Sequence, residues 1–558
     1  MFKSFVQDMR LFLPAEPKRK RGDEPDQNPA QPQRPRPDPD EAAATDKAAR
    51  MRARVLDCPL FANRSFQYGP ACAVAKRQRE RFLVYYPLGS GKTLAALHAA
   101  RTFLEMNPQG RIIILTTLSN VNTTWPDNID KYLKHVSDKN NAIRNAEIHN
   151  VDWWFSQENQ KAKDYNKLIR IMETDRFFTR KELITKNVMD LYNGTKRLNK
   201  KNKGNAKKQA DVLKTSMKGR RQLNMLQATI PDKPYFLIVD ECQEYINISA
   251  RALLVNALAN AAHTTLLLSA TPLNDENQKY GLLRLMRTPR IESIKQSVLW
   301  TNTTSDKPTV ELTTRMVKMT QQEWDFHQSQ ARAMTTYNQS QNAYLSKSRQ
   351  ACNCYSKWEA IANQLDADCL RFADAGGPIR MVVYSFFLEK GAVGFFNYLK
   401  RRNSGRLNKK TGRIKYQYRA GIHAQATLMN KDTLEWFNRK EKKQNCKILL
   451  LTSRSGMGIS LKNVRAVHLM EPQWSAADED QAVGRTTRKN SHDLVPRNVE
   501  VTRWLAVPPP NLRIEKSADQ KVFARMKDKK KETDKILTRL ATYGNAFLQN
   551  ILQEFRRN

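Results

Sequence analysis

The stretch RFLVYYPLGSGKTLAALHAA, beginning at Arg81, constrains this chain more than any other. Phe82 to Tyr86 are apolar or aromatic, as a buried strand requires, and strong helix formers follow Thr93. Between them Gly89, Ser90, Gly91, Lys92 and Thr93 read as a loop whose backbone comes close to something large and anionic. Glycines let main-chain N–H groups wrap phosphate oxygens, a lysine meets the β and γ oxygens of a triphosphate, and a threonine hydroxyl ligates Mg2+. The helix beginning near Thr93 adds its positive end. The full pattern carries a glycine where this chain has Tyr86, so the core that remains is G-x-G-K-T.

Composition narrows the partners. Against 55 acidic residues stand 95 Lys and Arg, a net charge of +40, and this excess points to a polyanion, most simply nucleic acid. The seven cysteines are scattered; Cys352 and Cys354 form the one close pair, and C-x-C without a second pair makes a poor zinc site. Free thiols in a reducing compartment are therefore expected. No apolar run reaches transmembrane length, and MFKSFVQDMRLFLP is too short and too charged for a secretory signal, so no membrane partner is expected.

The 558 residues divide into several domain-sized units. Residues 1–55 are rich in proline and charge and read as a disordered arm, in which Pro17 to Arg21 (PKRKR) is either a nuclear-import or nucleic-acid patch or a plain solvated run. From there apolar runs alternate with helical patterns: FLVYY, IIIL, YFLIV and TLLL, then MVVY, KILLL, AVHLM and VEVTRWLAV. Alternation of this kind predicts parallel sheets covered on both faces. The expected organisation is an α/β domain over 56–295, a helical linker over 296–375, a second α/β domain over 376–510 and a basic helical tail over 511–558. A basic, helix-prone insertion at about 160–225 interrupts the first domain.

Two further elements complete a nucleotide site. YFLIVDECQEY reads as a buried strand ending in Asp240 and Glu241: Asp240 holds the metal, and Glu241 orients and deprotonates the attacking water. TTLLLSATPLND places Ser269 and Thr271 directly after another strand, where two hydroxyls sense the acidic site.

In this order G-x-G-K-T, D-E-x-x and S-A-T-P resemble the motor of superfamily 2 helicases and translocases, built from two RecA-like domains. The second half adds Ser455, Gly456, Gly458, Ile459 and Leu461, then the run Gln481, Gly484, Arg485 and Arg488. The resemblance implies that Gly458 contacts nucleotide, that Arg485 and Arg488 act as arginine fingers, and that Gln481 meets the γ-phosphate or the water. It implies ATP and Mg2+ as cofactors, with Gln67 as the adenine contact and Thr93 and Asp240 at the metal. Gln243 stands where relatives carry His and, with Ser269 and Thr271, would couple hydrolysis to movement.

Finer features, including ILTTLSNVNTTW (Ile114 to Trp125), VKMTQQEWDFH (Val317 to His327) and GMGISLKNVRAVHLMEPQW, are similar to the early transcription factor small subunit and nucleoside triphosphatase I of large nucleocytoplasmic DNA viruses. That likeness implies a DNA-dependent ATPase of viral transcription, present in virion and infected cell, translocating on duplex DNA with a partner subunit or viral RNA polymerase. Two other readings stand beside it: a strand-separating helicase, and a basic packaging protein with a decayed ATPase.

Overall fold

The computed structural model describes residues 65–557 except 78–79, 108–109, 117–124, 136–146, 151–167, 174–233, 248–249, 302–307, 336–340, 375–378, 403–405, 418–422, 440–444, 453–458, 489–490, 493–496 and 513–514. The arm with Pro17 to Arg21, most of the basic insertion, and Ser455, Gly456 and Gly458 lie outside the described residues.

Fifteen described strands form two sheets. In the first lobe β1 (Arg81–Tyr85), β2 (Arg111–Thr116), β3 (Glu147–Asn150), β4 (Leu168–Glu173), β5 (Tyr235–Asp240), β6 (Thr264–Ser269) and β7 (Val298–Trp300) run parallel in the order β3-β4-β2-β5-β6-β1-β7. β5 and β6 are buried along their whole length, which is why their sequences are apolar without alternation. The helix Lys92–Met106 turns Ala95, Ala96, Ala99 and Ala100 inward, small side chains that let it lie close to the sheet, and Phe103 stacks on Phe236.

The second sheet holds β8 (Thr309–Lys318), β9 (Ile379–Ser385), β10 (Arg406–Asn408), β11 (Arg413–Gln417), β12 (His423–Leu428), β13 (Asn445–Thr452), β14 (Ala466–Leu469) and β15 (Asn498–Val507). Its order is β10-β11-β12-β13-β9-β14-β15-β8, parallel from β12 to β8. At the other edge β10, β11 and β12 pair antiparallel, so this sheet is mixed rather than parallel throughout. The cause is a tight hairpin. Asn408 Oδ1 accepts the amides of Lys410 and Thr411, and Gly412 (φ +65°) takes the left-handed turn position.

The stretch expected as a helical linker does contain three helices, Gln321–Thr335, Gln341–Ala351 and Tyr355–Asp374. Before them it adds β7 to the first sheet and β8 to the second, because TVELTTRMVK has the β-branched residues of a strand. Within the basic insertion, Leu168–Glu173 is likewise strand rather than helix. Cys369 and Cys446 are joined by a disulfide that ties the helix Tyr355–Asp374 to β13, where free thiols were expected. The fold brings together two residues 77 apart, and Cys72, Cys242, Cys352 and Cys354 are buried thiols outside any disulfide.

The tail is one 40-residue helix, Ala518–Arg557, about 60 Å long at 1.5 Å per residue. Its start packs on the second lobe, where Ala518 and Val522 join Met319, Trp324 and Ala506. Its end packs on the first, where Leu540, Phe547, Leu548, Ile551 and Leu552 enter the core. Gly544 permits the close approach: a Cβ there would lie 2.5 Å from Trp300 Cβ.

Candidate active site

Strands β2, β5, β6 and β1 lie side by side and end at one edge of the first sheet, which delivers Thr116, Asp240, Ser269 and Tyr86 in a row. Carboxyl ends of parallel strands are where open α/β sheets bind ligands. Past Tyr86 the loop reaches Gly89 (φ +74°) and Gly91 (φ +91°), left-handed positions that only glycine takes without strain. Gln67, expected at the adenine, is buried and donates from Nε2 to Ser90 O at 2.9 Å. A Cβ on Gly91 would stand 2.4 Å from that same nitrogen, so Gln67 clamps the loop.

Tyr86 fits because its ring turns away from the loop. The phenol is buried, donates to Phe66 O at 2.6 Å and meets the Phe66 ring edge-on at 5.6 Å. Only its carbonyl faces the loop, where it accepts from Lys92 Nζ at 3.2 Å, with Pro87 O at 3.5 Å. Burial pulls the Lys92 ammonium below its ordinary pKa; Glu241 and Asp240 oppose this, and Arg488 adds to it. Thr93 follows in the first helical turn.

Asp240 Oδ2 accepts from Thr116 Oγ1 at 2.9 Å and Trp125 Nε1 at 3.0 Å. Burial and then the Glu241 carboxylate push its pKa up to about 6, against the pull of those two hydrogen bonds and of Lys92. A cation at this carboxylate would relieve both causes. Sequence reasoning assigned no role to Thr116 or Trp125, although both lie in the Ile114 to Trp125 stretch it singled out. The available signal was a hydroxyl ending the strand β2.

From Glu241, itself left-handed at φ +51°, a chain of hydrogen bonds leads to the next strand. Gln243 Nε2 donates to Glu241 Oε2 at 2.8 Å, Ser269 Oγ to Gln243 Oε1 at 2.6 Å, and Thr271 N to Ser269 Oγ at 3.0 Å. Each amide end of Gln243 thus has one partner. The Thr271 hydroxyl is buried without a hydrogen-bond partner.

The second lobe meets this cluster through the helix Ala476–Gly484. Ser475 caps it by accepting from Asp478 N at 3.1 Å, and Glu479 fixes its rotation through a buried ion pair with Arg503 on β15 (Nε–Oε2 2.9 Å). Gly484 abuts the phosphate loop itself: a Cβ there would lie 2.4 Å from Leu88 Cδ1. Arg485 follows at the helix end, partly buried, with a buried Nη1 that lacks a hydrogen-bond partner. Burial lowers its pKa, while Tyr384 and Glu241 counteract. Arg488 donates from Nη1 to Ser460 Oγ at 2.6 Å; burial and then Arg485 lower its pKa, and Glu241 raises it. Gln481 sits partly buried on the same helix. Two guanidiniums thus stand in the field of the carboxylate beside the loop lysine.

Comparison with known families agrees with this geometry. Residues 42–274 match the family described as type III restriction enzyme, res subunit, and residues 390–490 match the helicase conserved C-terminal domain. The chain is a superfamily 2 helicase-like protein.

Among relatives of this superfamily 2 chain, a candidate ATP-dependent RNA helicase of Acanthamoeba polyphaga mimivirus is 30% identical over 140 residues, 25% of this chain and 28% of that protein. A termination factor NPH-I homolog of African swine fever virus is 38% identical over 80 residues, 14% of this chain and 10% of its own length. The chain thus spans under a third of the curated relatives it matches. The Sulfolobus solfataricus SWI2/SNF2 ATPase core, solved in complex with dsDNA, superposes with a TM-score of 0.31 at 13% identity, covering 79% of this chain and 86% of that one.

The superfamily 2 chain therefore gathers Gln67, the phosphate loop, Asp240, Glu241, Gln243, Ser269, Thr271, Arg485 and Arg488 into one region. Among the described residues no group of three or more His, Cys, Asp or Glu side chains could hold a metal, and no helix is long and apolar enough to cross a membrane.

Proposed function

We propose that the chain is a nucleic-acid-dependent ATPase that hydrolyses Mg-ATP between its two lobes and uses the cycle to move along duplex DNA. One observation carries the reading: Arg485 and Arg488 of the second lobe share an electrostatic neighbourhood with Glu241, and Arg488 with Lys92. The residues fit a triphosphate. The loop glycines expose backbone amides, Lys92 has only neutral carbonyls as described acceptors, and Arg485 keeps a buried Nη1 without a partner. Thr93 and Asp240 would hold the Mg2+ that arrives with the nucleotide and screens its charge. Glu241 would take the proton of the attacking water, and both arginines would stabilise charge on the phosphoryl oxygens.

The hydrogen bonds from Glu241 through Gln243 to Ser269 and Thr271 make a physical route by which the carboxylate's state reaches the strand end of β6. Replacing Gln243 by Ala is expected to reduce stimulation by nucleic acid by about 5- to 150-fold, the span of a typical coupling energy. The unstimulated rate should fall less. Steady-state hydrolysis with and without DNA checks this; equal losses in both would reject the coupling role.

Backbone phosphates, not bases, are expected to dominate binding, because the charge excess is large and no base-reading module is evident. The decisive assay measures hydrolysis with duplex DNA, single-stranded DNA and RNA in parallel. Duplex DNA should stimulate most, with apparent affinity falling about 10³-fold or more between roughly 50 and 200 mM salt. Hydrolysis indifferent to nucleic acid and to salt would sink the proposal. The relatives named as RNA helicases favour a second reading, strand separation, which a forked duplex distinguishes from displacement of a third strand. A place in viral early transcription, with a partner subunit or viral polymerase in the virion or infected cell, is supported by the NPH-I relative.

A further inference from the structure

β8 is the last described strand of the second sheet, and among the described residues it pairs only with β15. Ten residues long, it lies open to solvent along almost its whole length. Protein sheets ordinarily blunt such an edge with a short strand, a proline, a bulge or an inward charge. Here three even-numbered side chains on one face are apolar and open to solvent, Val310 44%, Leu312 50% and Met316 66% exposed, with Thr314 between them. The odd-numbered side chains lean the other way: Arg315 bonds Gln364 on the helix Tyr355–Asp374, and Val317 packs against the core there.

The backbone sets what can add to this edge. Thr309 N donates to Arg497 O and Met319 N to Val507 O, each at 2.9 Å, so odd-numbered amides face β15. Alternation along a strand then turns the amides and carbonyls of Val310, Leu312, Thr314, Met316 and Lys318 outward. A strand pairing with this edge must oppose its own outward-facing residues to these.

We infer that the occupant is a second copy of the chain, with the two β8 edges joined antiparallel about a two-fold axis at Thr313. A strand pairing with itself about a dyad on any β8 residue satisfies the amide rule, and charge selects among those registers. Centred on Thr313, Glu311 of each copy faces Arg315 of the other, twice, and Val310 faces Met316, twice. Centring on Glu311 would oppose two carboxylates, and centring on Arg315 two guanidiniums. Glu311 and Arg315 then occupy non-hydrogen-bonded pairs, where side chains approach most closely. The apolar side chains of the two copies come together, and both exposed β8 edges are consumed by a closed, isologous contact.

The test uses the full chain. Sedimentation velocity over a hundredfold dilution series should show monomer passing to dimer as concentration rises. Leu312→Pro removes an outward amide that β15 does not use and should hold the chain monomeric with an unchanged thermal midpoint. Glu311→Arg should also abolish the dimer, and Glu311→Arg combined with Arg315→Glu should restore it. Thr313→Cys should crosslink to itself on mild oxidation, whereas Val310→Cys should not. A wild-type chain monomeric throughout, a dimer that survives Leu312→Pro, failure of the charge swap to rescue, or growth into open polymers would each overturn the proposal.

Discussion

Arg485→Ala is expected to lower kcat for ATP hydrolysis by about 10³- to 10⁵-fold, the range for loss of an arginine finger in related NTPases, with nucleotide affinity little changed. The cause is timing. The side chain is partly buried, with a buried Nη1 free of any hydrogen-bond partner, in the field of Glu241 and across from the phosphate loop. On the proposed function it would meet the phosphoryl oxygens as charge builds on them, so its loss should appear in kcat and not in ground-state binding. Lys92→Ala behaves differently. Lys92 lies on the loop itself and, on the proposed function, would contact phosphate in the bound state, so affinity and turnover should fall together, the latter by about 10²–10³-fold. Lysine at position 485 is a poor rescue, because an ammonium lacks the planar fork. Single-turnover hydrolysis alongside nucleotide-binding titrations separates the two patterns; an Arg485→Ala chain that hydrolyses normally removes the trans-lobe mechanism.

The second large effect is on stability. Lys357 and Asp519 form an ion pair at 2.5 Å with both side chains fully buried. Lys357 also donates to Met470 O at 3.0 Å, and Asp519 accepts from Ala506 N at 3.0 Å, so the pair binds the helix Tyr355–Asp374, the ends of β14 and β15 and the start of the C-terminal helix. Burial lowers the Lys357 pKa, and Asp519, Cys352 and Glu471 more than offset it, holding the ammonium above its ordinary value. Asp519→Ala leaves the ammonium buried and uncompensated and is expected to destabilise the second lobe by about 3–5 kcal/mol. Replacing both, Lys357→Met with Asp519→Leu, should recover part of that loss, because neither member of the pair is then left buried without the other. Denaturant unfolding of the two chains measures it. An additive double variant would mean that packing, not charge, holds this junction.

Much of this was legible in the sequence for one reason: catalytic groups sit at the ends of buried parallel strands, and such strands announce themselves as unbroken apolar runs. Each of the eight runs read from the sequence, FLVYY through VEVTRWLAV, is a strand in the structure. Among the strands overlooked, some are exposed and others have local partners, while β7 is buried but only three residues long. β8 is exposed along almost its whole length, its apolar residues interrupted by Thr314, and β10 and β11 are held by a hairpin marked by Asn408 and Gly412. At the site, the Glu241 to Thr271 chain follows from the motif order, whereas the Asp240 partners do not. Thr116 and Trp125 come from another strand and from a helix beyond it; the hydroxyl ending β2 was a local signal, but its convergence with the indole on a distant carboxylate was not. Gln67 shows the opposite limit: its position was anticipated, but its commitment to the Ser90 carbonyl depends on packing that pattern alone does not encode.

The C-terminal helix gives the two lobes an unusual mechanical relation. Its first turns are held by Asp519 and Val522 on one lobe and its last by Leu548 and Leu552 on the other, with Lys529 and Asp275 paired between at 3.1 Å. An intact α-helix resists stretching and sharp bending, so the span between those anchorages behaves as a tie rod. On the proposed function, the nucleotide cleft would then change mainly by twist about that rod, so that the two lobes would rock through a small angle and not separate.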